Sequence, residues 1–298
     1  MNDYVLSCCS TADLTAEHLR ERDIRILCFH FSLDGADMED DLGKTIPFPE
    51  FYKRIRTAKT IRTSQPSAGE FVSYFRPMLE QGKDVLHVSL STGLSGEMNS
   101  AWAAAELLKE EFPSRRIEIV DSLGASMGYG LLMDELADQR DAGASLSELT
   151  DFCHRQRLKI QHWFFSTDLS FYFRGGRISR TAYLAGQLIS ICPILHVDEK
   201  GRLIPVQKIR TKKKVIEKML QKMEEYAENG LDYSGKCYIS HSDCYEDARA
   251  LADLIEEKFA KLREKIRINY VGTTIGAHTG PGTVALFFDG KDRALGTQ

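Results

Sequence analysis

The chain has 298 residues, of which 43% are hydrophobic and 28% are charged, and its formal net charge is −4 at pH 7. At roughly 100–200 residues per domain, this length predicts two domains. No stretch is apolar for long enough to predict a membrane span, and the first residues lack the basic and apolar regions of a secretory signal. We therefore expect a soluble, cytoplasmic protein. A net acidic chain without a nucleic-acid-binding motif also disfavours nucleic acid as the main partner.

The seven cysteines predict free thiols. Their number is odd, no Cys-x-x-Cys pair occurs, and most of them lie in or near apolar runs, where a thiol acts as a small hydrophobic side chain. The eight histidines show no spacing typical of metal ligands. The sequence therefore predicts no disulfide scaffold, no metal site and no cofactor.

The first half of the chain predicts alternating strands and helices. The strand-like runs are IRILCFHFSL, DVLHVSL and RIEIVDS. The helix-like stretches are FPEFYKRIRT, AGEFVSYFRPMLEQG, SGEMNSAWAAAELLKEEF and ASMGYGLLMDELADQRDAG. Alternation at this spacing predicts an α/β/α domain with a mainly parallel sheet and helices on both faces.

The pattern changes after the helix-like stretch SLSELTDFCHRQRLKI. QHWFFST resembles a strand, a hairpin is predicted to turn at Gly201, and further strands are KCYISH, RINYVG and TVALFFDG. Helices are predicted at TKKKVIEKMLQKMEEYAENG and CYEDARALADLIEEKFAKL. A hairpin beside βα units predicts a mixed sheet. We expect an N-terminal α/β domain at residues 1–160 and a C-terminal mixed-sheet α/β domain at residues 161–298.

A first candidate site is the turn in DVLHVSLSTGLSGEMNSAWAAAELL, where a predicted strand leads into a helix. In a parallel sheet such a turn lies at the carboxyl edge of the strands, where ligands bind. The free N–H groups at the start of the helix, beside Ser95 and Gly96, favour an anion. The alternative is that Ser95 only caps its helix. A second turn of this kind carries Asp121 and Ser122, for which we expect capping.

Two polar stretches offer further ligand contacts. In RTSQPS, Pro66 restricts the backbone of a polar loop and holds Thr63 as a hydroxyl donor, although a helix start signal explains the stretch as well. In FYFRGGRISR, paired glycines permit close backbone approach beside Arg174 and Arg177, whose guanidinium groups suit a carboxylate or phosphate. The alternative for this stretch is a surface turn with solvated arginines.

The stretch GAHTGPG near the C-terminus predicts irregular structure around His278. Its glycines allow positive φ angles, which turn successive N–H groups toward an anion. The alternative is a histidine with a purely structural role. The sequence leaves these two hypotheses open.

The basic stretch KIRTKKK precedes a predicted helix. Its cations lie at the N-terminal end of that helix, where the helix dipole is unfavourable to positive charge. A solvated surface is the simpler explanation. The alternative is a docking surface for an acidic or phosphorylated partner.

Several enzyme motifs do not occur. The chain has no G-x-x-x-x-G-K-[ST] motif, and GASMGYG does not fit G-x-G-x-x-G. GLSGE misses the nucleophile motif G-x-S-x-G because Glu97 occupies the place of the last glycine. A serine-dependent acyl hydrolase that uses Ser95 and His278 is therefore kept only as an alternative.

Taken together and in order, the motifs resemble the DegV family, the fatty-acid-binding subunits of bacterial fatty acid kinase. The motifs are STADLT, TSQPS, STGLSGEMNSA, IVDSLGASMGYG, FYFRGGRIS, ICPIL, KIRTKKK and IGAHTGPG, and they extend over nearly the whole chain. The resemblance implies a two-domain α/β protein of phospholipid metabolism with a long-chain fatty acid buried between its domains. It also implies a lipid carrier that is not itself an enzyme and lacks a nucleotide site. Such a carrier presents the carboxylate to the catalytic subunit of the kinase, and peripheral membrane contact would allow lipid exchange.

The resemblance also assigns residues. The fatty acid carboxylate is expected to bind at Thr63, Ser95, Gly96, His278, Thr279 and either Arg177 or Arg174. The kinase subunit is expected to bind at Lys208, Arg210 and Lys212.

The chain departs from the family pattern at two places. Glu97, Met98 and Asn99 stand where a threonine, a tyrosine and often a glutamine are usual, and Cys192 replaces a common lysine. Glu97 is expected to add a carboxylate near the anion site unless it points to solvent.

The proposed ligand has clear physical requirements. A buried carboxylate needs hydrogen bonds and an opposite charge, and an acyl chain needs a long apolar tunnel. AWAAAELL, TAYLAGQLISICPIL and FVSYF could line such a tunnel or simply form the core. Phosphoryl transfer needs a nucleotide site and metal ligands, so a partner would have to supply it. A regulatory or adaptor protein that acts through the basic stretch is a third hypothesis.

Overall fold

In the computed structural model, which describes residues 3–180, 183 and 191–295, strands and helices alternate along much of the chain. The strands are β1 (Tyr4–Cys9), β2 (Ile24–Leu27), β3 (His30–Leu33), β4 (Ala36–Glu39), β5 (Ile61–Ser64), β6 (Asp84–Ser89), β7 (Ile117–Asp121), β8 (Ile160–Ser166), β9 (Ile191–Val197), β10 (Leu203–Arg210), β11 (Cys237–His241), β12 (Arg267–Tyr270) and β13 (Thr283–Asp289). The α-helices of this part of the chain are α1 (Ala16–Glu21), α2 (Phe48–Ile55), α3 (Ala68–Glu80), α4 (Glu97–Glu111), α5 (Ser126–Asp141), α6 (Leu146–Gln156), α7 (Ser170–Arg174), α8 (Lys212–Tyr226), α9 (Tyr245–Lys258) and α10 (Thr273–Thr279).

The first sheet is parallel, as predicted, with the strand order β2-β1-β6-β7. Helices α3 and α4 pack together on one face, where Phe71, Phe75 and Ala104 share a core with Val85. Helix α5 covers the other face. Strand β1, a central strand, was not predicted from the sequence, because YVLSCC is buried at nearly every position and lacks the alternation of a half-buried strand.

The second sheet is mixed, which confirms the fold class predicted for this part of the chain. Its order is β10-β9-β8-β13-β11-β12, and only β11 and β12 pair in parallel. The predicted hairpin is formed by β9 and β10, with Gly201 in the left-handed region at φ 70°. Helices α8 and α9 pack on one face of this sheet. The other face contacts α5, so α5 lies between the two sheets.

A third, antiparallel sheet with the order β4-β3-β5 was not predicted. The run IRILCFHFSL, predicted as one strand, is divided between β2 of the parallel sheet and β3 of this small sheet. Strand β5 pairs with β3 and contains Thr63, which faces Phe31 in the register. The first half of RTSQPS is therefore a strand and not the polar loop that the sequence predicted.

The prediction of irregular structure around His278 was wrong. His278 lies in the last turn of α10, and Gly280, with φ 66°, is the C-cap of this helix. The helix forms because the carboxylate of Asp40, which is far away in sequence, accepts hydrogen bonds from the N–H groups of Thr273 and Thr274 at 3.3 and 3.2 Å. A local pattern cannot reveal a cap of this kind. Within the part of the chain that the structure describes, no helix has both the length and the apolar character that a bilayer crossing requires.

Candidate functional site

A cavity of about 720 Å³ lies between the parallel and the mixed sheet and is lined from both halves of the chain. Much of its wall is apolar and comes from strand ends and the loops beside them. The main apolar residues are Phe29, Leu90, Phe164, Val197, Leu203 and Phe287.

The structure brings most of the predicted site residues to this cavity. The residues that line it are Thr63, Ser95, Gly96, Arg177, His278 and Thr279. Arg174 lies outside it, with its guanidinium group 4.4 Å from the centre of the Phe171 ring. The structure thus separates the two arginines that the sequence could not distinguish.

Thr63 and His278 meet although they are far apart in the chain. The Oγ1 atom of Thr63 is 2.8 Å from the Nε2 atom of His278. Burial, and after it the positive charge of Arg177, lowers the pKa of His278 to about 4. The imidazole is therefore neutral at pH 7, and it joins β5 to α10 at the cavity wall.

Ser95 is held by Gln65, a residue of the TSQPS motif for which the sequence predicted no role. The hydroxyl of Ser95 donates to the Oε1 atom of Gln65 at 3.3 Å, and the amide of Gln65 donates to the hydroxyl of Ser100 at 3.0 Å. Ser95 also accepts from the N–H group of Glu97 at 3.2 Å. It therefore contacts the first turn of α4 and also lines the cavity, so the capping and ligand hypotheses are compatible.

Arg177 supplies the positive charge of the site. Its guanidinium group donates to the carbonyl oxygens of Gly175 at 2.5 Å and Leu94 at 3.0 Å. Burial lowers its pKa, but an arginine remains charged at neutral pH. Among the described residues that line the cavity, Arg177 is the only one with an ionised side chain. Its remaining N–H groups are available to a ligand.

Glu97 points neither to solvent nor into the cavity. Its side chain is fully buried and accepts hydrogen bonds from His87 at 3.0 Å, the N–H group of Leu90 at 3.1 Å, Ser89 at 3.3 Å and the thiol of Cys9 at 3.5 Å. Cys9, His87 and Glu97 place potential metal-ligand atoms within 4.8 Å of one another. The hydrogen bonds to Glu97 hold its carboxylate in place beneath the turn that contains Ser95.

The other departures from the family pattern lie in different surroundings. Met98 is buried, Asn99 is exposed and lines the cavity, and Cys192 packs in the core between the mixed sheet and its outer helices. Cys192 therefore lies on the face of the sheet that is remote from the cavity.

The capping role expected for Asp121 and Ser122 was wrong. Residue Ala125 precedes α5 as its N-cap and offers no side-chain hydrogen bond. The carboxylate of Asp121 instead accepts from the N–H group of Thr92 at 3.2 Å and from that of Leu123 at 2.8 Å. It therefore ties together two neighbouring strand-to-helix turns at the edge of the parallel sheet.

Two of the three apolar segments proposed for the tunnel belong to the core. FVSYF and AWAAAELL place Phe71, Phe75, Ala104 and Leu108 between α3, α4 and the parallel sheet, and neither segment lines the cavity. Most of TAYLAGQLISICPIL lies outside the described residues. Part of the apolar lining comes instead from alternate residues of β8 and β13, such as Phe164 and Phe287, because one face of each strand points to the cavity.

The hydrolase alternative requires a hydrogen bond between Ser95 and His278. In the structure, the hydroxyl of Ser95 donates to Gln65, and the Nε2 atom of His278 is paired with Thr63. The two side chains therefore have different partners, and the geometry does not support an activated serine.

The basic stretch runs from the edge strand β10 into the start of α8. Lys208 and Arg210 are exposed, and Lys212 forms an ion pair with Asp247 at 2.9 Å. Thr211 caps the helix by accepting from the N–H group of Lys214 at 3.5 Å. As predicted, cations occupy the first turn of the helix, and Asp247 offsets one of them.

Two solved structures share this fold over nearly the whole chain. A DegV family protein from Thermus thermophilus, described as binding fatty acid, has a TM-score of 0.84 and 28% identity, covering 97% of this chain and 100% of that one. A Thermotoga maritima protein, whose structure is described as revealing a fatty acid binding function, has a TM-score of 0.80 and 26% identity, covering 98% of this chain and 100% of that one.

Sequence comparison gives the same result. A DegV domain-containing protein of Clostridium perfringens is 35% identical over 98% of this chain and 99% of its own length. The model of the family described as "Uncharacterised protein, DegV family" matches residues 9–291. From the fold, the relatives and this match together, the chain belongs to the DegV family.

Proposed function

We propose that this protein binds a long-chain fatty acid in the cavity, with the carboxylate at Arg177 and the acyl chain along the apolar wall. The observation that carries this proposal is the charge distribution of the lining. Arg177 is the only ionised side chain among the described lining residues, and apolar atoms form most of the remaining wall. The fatty acid binding described for the Thermus and Thermotoga proteins supports the same ligand.

The head group is held by complementary groups. A carboxylate that leaves water needs an opposite charge and hydrogen bonds, which Arg177 and the hydroxyl group of Thr63 provide. The hydroxyl of Ser95 adds a further hydrogen bond when it turns from Gln65 to the carboxylate. Neutral His278 orients the Thr63 hydroxyl and adds no competing charge. Gly96 and Thr279 also belong to the polar part of the wall.

The acyl chain supplies most of the affinity. Burial contributes about 0.8 kcal/mol per methylene group, so a chain of about fourteen methylenes gains about 11 kcal/mol before ordering costs are subtracted. A cavity of about 720 Å³ with a largely apolar wall suits such a ligand.

We propose further that the protein is a carrier without turnover of its own, and that a separate kinase subunit phosphorylates the bound carboxylate. The exposed cations Lys208 and Arg210 form a basic surface suited to an acidic partner. Lys212 contributes less because Asp247 already pairs with it. Two domains that meet near residue 160, between the last parallel strand and the first strand of the mixed sheet, would hold the ligand between them.

The decisive experiment is mass spectrometry of the protein purified from a bacterial host, under native and denaturing conditions. We expect a co-purified fatty acid in the native spectrum that denaturation releases in a one-to-one ratio. Protein that is empty and that also fails to bind added long-chain fatty acids would contradict the proposal. An Arg177→Met variant provides the control, because it removes the charge and should lower occupancy.

A further inference from the structure

One polar ring interrupts an otherwise apolar part of the cavity wall. The face of the mixed sheet that points to the cavity carries Phe164, Val197, Ala285 and Phe287 around His162. His162 is buried and belongs to the lining. An apolar side chain at this position would complete a uniform hydrocarbon surface, so the imidazole requires an explanation.

The other polar residues of this face are satisfied by the protein. The hydroxyl of Ser240 lies 3.0 Å from that of Ser126, and the hydroxyl of Thr283 lies 2.9 Å from that of Tyr172. In contrast, neither ring nitrogen of His162 has a hydrogen-bond partner among residues 3–180, 183 and 191–295. The Nδ1 atom is sealed against Gly128, so Nε2 is the ring nitrogen that a ligand in the cavity can reach. Because a buried polar group without a partner is costly, such a group in a ligand cavity indicates a partner on the ligand.

The surrounding residues make room for this ring. Gly124 and Gly128 lie directly against it, and a methyl group added at either glycine would overlap the imidazole. The ring also packs edge to face on Phe287, with 5.3 Å between the ring centres. The position is therefore built to hold a flat side chain in the wall.

His162 is neutral. Burial, and after it the charges of Arg293 and then His196, keeps the pKa of its imidazole well below the usual range. A neutral imidazole donates or accepts a hydrogen bond but does not neutralise a second carboxylate. It therefore suits an uncharged oxygen group on the ligand.

His162 lies far along the cavity from the carboxylate end. Strands β13 and β8 pair so that Thr283 faces Ser166 and Phe287 faces His162. Four residues along a strand span about 13 Å. Thr283 is bonded to Tyr172 of α7, the helix that leads into the loop of Arg177. The distal part of a long acyl chain is thus the part that passes His162.

We propose that His162 is a specificity-determining residue and that this protein prefers fatty acids with a hydroxyl group on the distal part of the chain. The proposal rests on the proposed function. A hydroxyl group both donates and accepts, so it can pair with the Nε2 atom of His162 in either tautomer. A plain hydrocarbon leaves the ring unpaired, and the difference corresponds to about tenfold in affinity.

The test is competition binding of octadecanoic acid against hydroxyoctadecanoic acids whose hydroxyl group is moved stepwise along the distal half of the chain. We expect the wild type to bind one isomer about tenfold more tightly than the plain acid. His162→Phe should abolish this preference and retain binding of the plain acid, and His162→Gln should retain part of the preference. His241→Phe, which alters a buried histidine of the same sheet outside the cavity lining, is the matched control.

The outcomes separate the two proposals. If the wild type binds the plain acid as tightly as every isomer, or if His162→Phe keeps the preference, the role of His162 is wrong and fatty acid binding stands. If no fatty acid binds, plain or hydroxylated, both proposals are wrong. Thermal unfolding of each variant verifies that it is folded, and His162→Gln keeps the test valid if the larger phenylalanine does not fit.

Discussion

The Oγ1 atom of Thr63 lies 2.8 Å from the Nε2 atom of His278, which joins the small antiparallel sheet to helix α10 at the cavity wall. Neither residue belongs to a recognisable catalytic motif by itself. Their meeting turns two distant segments into one side of the candidate carboxylate site, and it makes the role of each residue testable.

We expect Thr63→Val to weaken fatty acid binding about tenfold, because the variant keeps the shape of the side chain and removes one hydroxyl from a buried carboxylate. Isothermal titration with a long-chain fatty acid measures the change. Thr57→Val is the control, since Thr57 is exposed and its hydroxyl donates to the carbonyl oxygen of Arg54. Equal losses in the two variants would show that the effect is not local to the cavity.

His278 should make stability depend on pH. Its pKa is about 4 in the folded protein and 6.5 in the reference state, so the unfolded chain binds more protons between these values. The stabilisation from neutral His278 is complete above pH 6.5 and is lost as the pH falls toward 4, with a slope of at most about 1.4 kcal/mol per pH unit.

Urea unfolding at a series of pH values measures this slope. We expect His278→Gln to show a flatter profile than the wild type below pH 6.5, because glutamine does not titrate. Buried His162 and His196 also have lowered pKa values and remain in both proteins, so their contribution cancels in the comparison. Parallel profiles would refute the lowered pKa of His278.

The two arginines of FYFRGGRISR form a natural pair for comparison. Arg177→Met should lower fatty acid affinity by about tenfold to a hundredfold, because hydrogen bonds to charged groups are stronger than neutral ones. Arg174→Met should change affinity less than twofold, since Arg174 stacks on Phe171 outside the cavity. The same titration measures both variants, and a larger loss for Arg174→Met would reverse the assignment.

The sequence predicted the fold class because hydrophobic periodicity is local. The parallel sheet, the mixed sheet and the β9–β10 hairpin all follow patterns that a short window contains. Strand β1 and helix α10 were missed for opposite reasons. β1 is buried at nearly every position and shows no alternation, and α10 depends on Asp40, which lies over two hundred residues earlier in the chain.

The site was predicted in part. The motifs that resemble the family led to Thr63, Ser95, Arg177 and His278, all of which line the cavity. Gln65 was missed, although its place between Thr63 and the helix start was a usable signal. The direction of the Glu97 side chain depends on His87 and on packing beneath α4, which the chain order does not reveal.

The buried carboxylate of Glu97 should stabilise the folded protein by holding the turn that contains Ser95. Glu97→Gln keeps the size of the side chain but turns an amide N–H₂ group toward donors that need an acceptor, and we expect a loss of about 1–3 kcal/mol in the free energy of unfolding. Urea unfolding measures it. Glu110→Gln is the matched control, because Glu110 is an exposed residue of the same helix. A loss for both variants, or for neither, would contradict a specific role of the buried carboxylate.

The basic surface should matter for the partner and not for the lipid. The double variant Lys208→Ala and Arg210→Ala removes two exposed charges of β10, which does not line the cavity at these positions. We expect unchanged fatty acid affinity together with at least a tenfold loss of acyl phosphate formation when a fatty acid kinase catalytic subunit and ATP are added, because complementary charge sets the rate of encounter. Lys109→Ala, which removes an exposed charge from α4, is the control. A loss that is equally large at low and high salt would indicate that the surface does not act through its charge, and unchanged phosphate formation would mean that the kinase docks elsewhere.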